Sequence, residues 1–173
     1  MKDINELKSI IQEMVHGFTR FHDDLHLSVV QTSSSINISL AAHADDTPKL
    51  IGSGGGMVKS LREIAQRMAD SLQTKVNINV TEPTVGQRMG LDPFRADIHY
   101  KRETEVKLLE RIGQFIFNDG IQVTGVDLDK ESTMLTLAID EDYDEALEAA
   151  LSTVFKAIGR TKGRKLEIEL DSL

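Results

Sequence analysis

The sequence contains no cysteine and no tryptophan, and it has only three prolines and two tyrosines. The lack of cysteine excludes a disulfide framework, a thiolate zinc site and a cysteine nucleophile. No apolar run approaches the roughly 18 residues that a membrane-spanning helix needs. The first residues, 1–6, lack the basic start and apolar stretch of a secretory signal. We therefore expect a cytoplasmic protein that does not cross a membrane.

The charge of the chain is negative and unevenly distributed. Its 173 residues include 20 Lys plus Arg and 28 Asp plus Glu, a formal net charge of −8. This balance argues against a protein that coats nucleic acid through bulk charge, although it leaves room for a locally basic groove. Residues 1–86 hold eight basic and ten acidic residues, and residues 87–173 hold twelve and eighteen. A partner attracted by negative charge is therefore expected on the second half.

The first half of the chain switches between helical and strand periodicity. A first helix is expected to be capped by Asp3, with Glu6 completing a capping box. Asp45 or Asp46 is expected to cap a shorter helix that has Pro48 in its first turn. The predicted elements, in order, are a helix over Ile4–Phe21, strands over Leu25–Val29 and Ile36–Ala42, helices over Pro48–Ile51 and Val58–Leu72, and a strand over Val76–Val80.

The second half repeats this order, but it lacks the glycine-rich segment that lies between the second and third helices of the first half. Its first strand is expected to contain a kink or bulge near Gly125. The segment from the second to the third strand is nine residues shorter in the second half. This follows from comparing the spacing of Ile38 and Ile78 with that of Leu137 and Ile168. The predicted elements are helices over Val106–Ile116 and Leu147–Ile158, and strands over Ile121–Leu128, Met134–Ile139 and Leu166–Leu170.

These patterns predict an α/β (α+β) protein built from two tandem α-β-β-α-(α)-β units, each a three-stranded sheet with helices on one face. We expect a first domain over residues 1–82, a linker over 83–102 and a second domain over 103–173. The linker contains two of the three prolines but also apolar residues such as Leu91 and Phe94. We therefore expect it to pack against a flanking unit rather than to act as a free tether.

The glycine-rich segment, Gly52–Gly56, does not fit the common nucleotide-binding loops. A Walker A motif needs glycine directly before Lys-Ser, where this chain has Val58, and the dinucleotide pattern fails because Met57 takes the place of its last glycine. The spacing Ile51-Gly52-x-x-Gly55-x-x-Val58 instead places a glycine turn between two short helices, with apolar residues on both sides.

In this turn and in the order of elements around it, residues 3–82 resemble the K homology (KH) family of RNA-binding domains in its bacterial type II arrangement. The hallmark of that family is a G-x-x-G loop between two helices. The resemblance implies an RNA-binding protein and not an enzyme, without cofactor, metal site or catalytic residues. It also implies that the loop clamps about four nucleotides of single-stranded RNA while the bases lie in an apolar groove beside it.

Carried over by position, the resemblance assigns RNA-binding roles to residues of the first unit. The clamp would be Gly52, Ser53, Gly54 and Gly55, because glycines let a sugar-phosphate backbone approach the main chain closely. Flanking cations would attract the phosphates, and apolar side chains would form the groove. The cations would be Lys49, Lys59 and Arg62, and the groove would include Ile51, Val58 and Leu61 together with Ile38 and Leu40.

The loop departs from the family in being neutral. Family loops that bind well usually carry Lys or Arg at a middle position, where this chain has Ser53-Gly54. We therefore expect weak binding, about micromolar or weaker, with a shallow dependence on salt. Two alternatives stay open: a flexible turn that binds nothing, and a protein-interaction or scaffold module that kept the KH fold and lost RNA binding.

Three further patterns invite a functional interpretation. The pair His22 and His26 mimics a zinc-protease motif, but the second histidine is predicted to lie in or near a strand, so no metal site is expected. The acidic run Asp140–Glu145 stands where a second loop would be and is expected to cap a helix or to engage a basic partner. The basic run Lys156–Lys165 either complements a helix C-terminus or forms a second nucleic-acid surface, which Arg88, Arg95, Lys101 and Arg102 could join.

Overall fold

The structure of the protein is a computed structural model that describes residues 2–81, 101–118, 120–142 and 144–173. It contains two successive sets of helices and strands. The first unit comprises α1 (Ile4–Phe18), β1 (His26–Gln31), β2 (Ser35–Ala41), α2 (Thr47–Ile51), α3 (Gly56–Asp70) and β3 (Lys75–Thr81). The second unit comprises α4 (Arg102–Phe117), β4 (Ile121–Asp127), β5 (Ser132–Ile139), α5 (Glu145–Thr161) and β6 (Lys165–Ser172). One-turn 3₁₀ helices lie at His22–Asp24 and Ser53–Gly55.

Each unit contains one three-stranded sheet with the same topology. In both, the first two strands are antiparallel and the second and third are parallel, with the second strand in the centre. The predicted mixed α/β class with two tandem units is confirmed. The register corrects the spacing comparison: Ile38 pairs with Ile78, whereas Leu137 pairs with Leu170 and not with Ile168. The second unit is therefore seven residues shorter between these strands, not nine.

The helices of the two units pack against each other. A Cβ added to Gly17 of α1 would lie 2.8 Å from Cγ1 of Ile158 on α5, so the two helix backbones approach closely there. Thr161 Oγ1 donates a hydrogen bond of 3.4 Å to the carbonyl oxygen of Phe18. The buried apolar residues of both units form one cluster. This packing determines which residues of the second unit lie near the first unit's loop.

The predicted helix caps are confirmed in part. The Asp3 carboxylate accepts a hydrogen bond of 2.8 Å from the backbone N–H of Glu6, as an N-cap does. The Glu6 side chain contacts the second unit, because its Oε1 accepts from Nε and Nη2 of Arg111 at 3.1 and 3.0 Å. The helix ends at Phe18, three residues before Phe21, where the predicted helix ends.

The prediction of a kink or bulge near Gly125 is wrong. Residues of β4 and β5 pair one to one through this position, with Gly125 opposite Leu135. A Cβ at Gly125 would lie 2.9 Å from Cγ2 of Val106 and 3.1 Å from Cγ of Arg102. The glycine therefore serves the close packing of α4 on β4 and not a break in the strand.

The predicted linker falls largely on residues 82–100, which lie outside the described residues, as do Arg88 and Arg95. Lys101 is the N-cap residue of α4, and Arg102 is its first residue and pairs with Asp127 at 3.2 Å. Among the helices of the described ranges, none combines the length and the apolar character that a membrane crossing requires.

Candidate nucleic-acid interface

The start of α2 is fixed to the end of α1 by a buried carboxylate. Asp46 is fully buried, and its oxygens accept hydrogen bonds from the backbone N–H groups of Arg20, at 3.0 Å, and Phe21, at 2.8 Å. Asp46 occupies the predicted cap position but makes no side-chain cap hydrogen bond to α2, whose first turn contains Pro48 as expected. The α2 helix is thereby anchored just before the glycine turn.

The glycine turn lies between two helices, where the spacing places it. Helix α2 ends at Ile51 and α3 begins at Gly56, so four residues connect the two helices. Gly52, Gly54 and Gly55 all have positive φ, at 76°, 61° and 78°. No atom outside the immediate turn lies within 4 Å of a Cβ built on Gly54 or Gly55. The tip of the turn is open to a ligand.

Gly52 has a different role from the tip of the turn. With φ 76° and ψ 172° it adopts a conformation that is essentially restricted to glycine. A Cβ there would also lie 2.6 Å from the backbone nitrogen of Met57 and 2.8 Å from its Cβ. Gly52 therefore determines how α2 turns into α3.

Replacing Gly52 by alanine is expected to lower the free energy of unfolding by at least about 2 kcal/mol. The matched control is Gly54→Ala, which also has positive φ but meets open space and should cost about 1 kcal/mol. Urea unfolding followed by circular dichroism compares the two. Equal losses for both variants would contradict the special role of Gly52.

The first turn of α3 presents a partial positive charge to the glycine turn. The N–H of Gly56 donates to the carbonyl oxygen of Ser53, and the N–H groups that follow it at the start of this 15-residue helix add to the effect of the helix dipole. The residues of this turn, Gly56–Lys59, include no acid that would offset the charge. The main chain can therefore donate hydrogen bonds to an anion placed at the turn.

The three predicted cations do not form one cluster. Lys49 lies on α2, with its side chain 41% exposed and its Nζ 3.4 Å from Asp46. Lys59 is exposed in the first turn of α3. Arg62 donates from Nε and Nη2 to the carbonyl oxygen of Ile78, at 3.1 and 2.9 Å. Arg62 thus ties α3 to the outer strand β3, whereas Lys49 and Lys59 flank the turn.

The apolar groove expected beside the turn is only partly present. Ile51 is exposed, at 39% of its surface, and Val58 is at the limit of burial, at 9%. Ile38, Leu40 and Leu61 are fully buried. The expectation that these three residues form the floor of an open groove is wrong, because their side chains fill the interior between the sheet and its helices.

The histidine pattern has no metal-binding geometry. His22 lies in a 3₁₀ turn, where its Nε2 contacts the carbonyl oxygen of His16 at 2.7 Å, and His26 lies in β1. Within the described ranges no three His, Cys, Asp or Glu side chains come together as metal ligands. A different histidine, the buried His43, stacks on Phe21 with ring centroids 3.6 Å apart, a contact that the sequence pattern does not indicate.

Most of the basic run on and after α5 is used within the protein. Lys162 pairs with buried Glu105, Arg164 pairs with Asp127 at 3.1 Å, and Lys165 pairs with Glu167 at 3.2 Å. Lys156 and Arg160 are exposed and have no ion pair among the described residues. Arg160 lies in the last turn of α5, where its charge complements the helix dipole as expected.

The acidic run caps a helix, as one of the two interpretations predicted. The Asp144 carboxylate accepts a hydrogen bond of 3.1 Å from the backbone N–H of Leu147 at the start of α5, and it also pairs with Arg67 of α3. Asp140, Glu141 and Asp142 are exposed and line a cleft of about 840 Å³. This end of the molecule is therefore acidic.

Comparison with known proteins finds similarity in the first unit. The family model described as "KhpA/KhpB, KH domain" matches residues 8–80, which run from α1 into β3. RNA-binding protein KhpA of Halalkalibacterium halodurans is 25% identical over 76 residues, which are 44% of this chain and the whole of that protein. No solved structure matches the chain significantly. The first unit, residues 8–80, is thus similar to the KH domain of KhpA and KhpB.

Proposed function

We propose that this protein binds single-stranded RNA and that the glycine turn Gly52–Gly55 clamps the sugar-phosphate backbone. The observation that carries the proposal is the open space around Gly54 and Gly55, directly ahead of the α3 N-terminus. The family match and the name of the relative, an RNA-binding protein, support RNA as the class of ligand. The proposed activity is binding alone, without catalysis or a cofactor, in the cytoplasm.

The chemistry of the proposed site follows from the turn. Phosphate oxygens accept hydrogen bonds from the N–H groups at the start of α3, while the open space at Gly54 and Gly55 admits the chain. Lys49 and Lys59 add positive charge on either side, and Ile51 offers an exposed apolar surface to a base. Since Ser53-Gly54 brings no cation to the tip, the attraction is modest.

The proposed site belongs to the first unit, which we propose as a domain over residues 1–82. The second, over 103–173, is proposed as a degenerate KH-like domain. Its described residues include no counterpart of α2, its sequence has no glycine turn, and the acidic run precedes α5. An anionic polymer is repelled there, so RNA bound as in the first unit is not expected.

Fluorescence anisotropy with labelled single-stranded RNA of random sequence tests the proposal. We expect a dissociation constant that is about micromolar or weaker and, for two to three neutralised phosphates, a salt slope of about −2 on logarithmic axes. A matched RNA duplex should bind more weakly, because its paired bases cannot pack on the exposed Ile51 beside the turn. Absence of binding to the folded protein, or equal affinity for the duplex, would contradict the proposal.

The acidic cleft favours a second candidate function, a protein-interaction module that engages a basic partner. Its exposed carboxylates, Asp140, Glu141 and Asp142, lie at the end of α3 and α5 that is remote from the glycine turn. A fluorescent oligolysine peptide tests this candidate. Binding that Asp140→Asn with Asp142→Asn abolishes would support it, and binding that the double variant leaves unchanged would refute it.

A further inference from the structure

Helices α3 and α5 run antiparallel across the interface between the two units. Arg67, near the end of α3, pairs with Asp144 at the start of α5. At the opposite end, Met57 in the first turn of α3 and Ala157 on α5 line the same groove. The last turn of α5 is therefore brought alongside the glycine turn of the first unit, although the two are about a hundred residues apart in sequence.

The groove between the glycine turn and α5 has a volume of about 640 Å³. Gly52, Ser53 and Gly56 form one wall, so the groove is continuous with the proposed RNA clamp. Met57 and Ala157 contribute apolar surface to it. The groove therefore extends from the turn to α5 of the second unit, which also contributes Thr153 and Thr161.

Three cations from three different elements line this groove: Arg20 after α1, Lys49 on α2 and Arg160 on α5. None of the residues that line it is acidic. Asp46, which pairs with Lys49, is fully buried and accepts hydrogen bonds from two backbone N–H groups. Arg20 and Arg160 are exposed and make no ion pair with any described residue. In a chain of net charge −8, this is a local surface of the opposite sign.

We propose that this groove binds the ribose-phosphate backbone of the nucleotides adjacent to those held by the glycine turn, so that the second unit supplies Arg160 to the RNA site. The inference rests on the proposed function and extends it. Arginine forms bidentate hydrogen bonds with phosphate. Because Arg160 lies on α5 and Lys49 on α2, the bound RNA would meet cations from two different elements. Cations contributed by the groove then compensate for the neutral tip of the turn.

A comparison of short and long RNA tests the inference. Oligouridines of four and ten nucleotides are titrated into the wild-type full chain and the Arg160→Gln variant. The four-nucleotide RNA occupies the turn alone, whereas the longer one reaches the groove. We expect Arg160→Gln to weaken binding of the longer RNA about five- to tenfold and to reduce its salt slope by about 0.7, with binding of the shorter RNA unchanged.

The matched control is Lys75→Gln, which removes the same charge. Lys75 is exposed at the start of β3 and lies opposite Ser35, the first residue of β2. The chain leaves β2 for α2 at the other end of the sheet, so Lys75 is remote from the glycine turn. Its variant should bind both RNAs within about twofold of wild type. Arg160→Lys, which keeps the charge, should recover most of the affinity for the longer RNA.

The outcomes separate the two proposals. If Arg160→Gln behaves like Lys75→Gln while the wild type binds RNA and the turn is needed, the groove is not part of the site and only the inference fails. Equal losses for both RNA lengths would also refute it, because Arg160 would then act at the turn. If the wild type binds neither RNA, the proposed function fails and the inference fails with it.

Discussion

The double variant Gly54→Asp with Gly55→Asp is expected to lose at least about tenfold in affinity for single-stranded RNA, because two carboxylates then face the phosphates at close range. The protein should remain folded. Both positions are exposed or half-buried, and neither added Cβ meets an atom outside the turn. The positive φ at each position costs about 1–2 kcal/mol in stability, which a melting curve will show as a small shift.

The matched control is Gly54→Asn with Gly55→Asn. Asparagine has the shape of aspartate and tolerates the left-handed backbone region similarly, but it carries no charge. Anisotropy with the same RNA should therefore show a much smaller loss than for the aspartate pair. The difference between the two double variants isolates the electrostatic part of the effect from any change in backbone conformation.

One result would contradict the clamp: wild-type affinity in the aspartate pair would show that RNA does not approach the turn. Equal losses in both pairs would contradict the electrostatic explanation, because the added side chains or the altered backbone would then account for the loss. A folded aspartate pair with intact circular dichroism is the condition for interpreting either result.

The order of elements could be predicted from the sequence because it depends on local patterns. Apolar spacing identifies helix and strand within a few residues, and the Gly52-x-x-Gly55 turn requires only that one short helix ends and another begins. The N-cap at Asp3 is likewise a contact across three residues. Such features are encoded within a single turn of backbone, so one sequence is enough to find them.

Features that depend on packing between elements could not be predicted in this way. Periodicity shows that Ile38 has an inward face, but not that the helices leave no opening above it. Likewise, Gly125 signals a close approach or a break, and only the position of Val106 on α4 decides between the two. Nothing local to Arg160 indicates that it lies beside the glycine turn, because that proximity arises from the antiparallel packing of α3 and α5.

The basic run at the end of α5 illustrates how far packing changes the meaning of charge. Five cations within ten residues suggest one basic surface, yet three of the five are paired with carboxylates. Two of these carboxylates belong to other elements, α4 and β4. Lys162 and Arg164 bind Glu105 and Asp127, so they stabilise the second unit. Arg160 is left to face the groove, and so the charge available to a ligand is smaller and more localised than the sequence suggests.

Lys162→Met is expected to destabilise the protein by about 3–5 kcal/mol, because it leaves a carboxylate without its counter-charge in the interior. Glu105 is 1% exposed, and its Oε2 has no hydrogen-bond partner among the described residues. Its Oε1 accepts from the Lys162 ammonium, which is itself largely buried. Urea unfolding followed by circular dichroism measures the loss, which would be a large fraction of the stability of an ordinary domain.

Two further variants make this prediction specific. Lys165→Met removes a cation from an exposed pair with Glu167 and should change stability by less than about 1 kcal/mol. Lys162→Met combined with Glu105→Leu removes both buried charges and should recover most of the lost stability, since apolar side chains often replace a buried ion pair without cost. If Lys162→Met were no worse than Lys165→Met, the Glu105 carboxylate would not depend on Lys162. If the double variant were as unstable as the single one, the loss would come from the packing of the lysine stem and not from an unpaired charge.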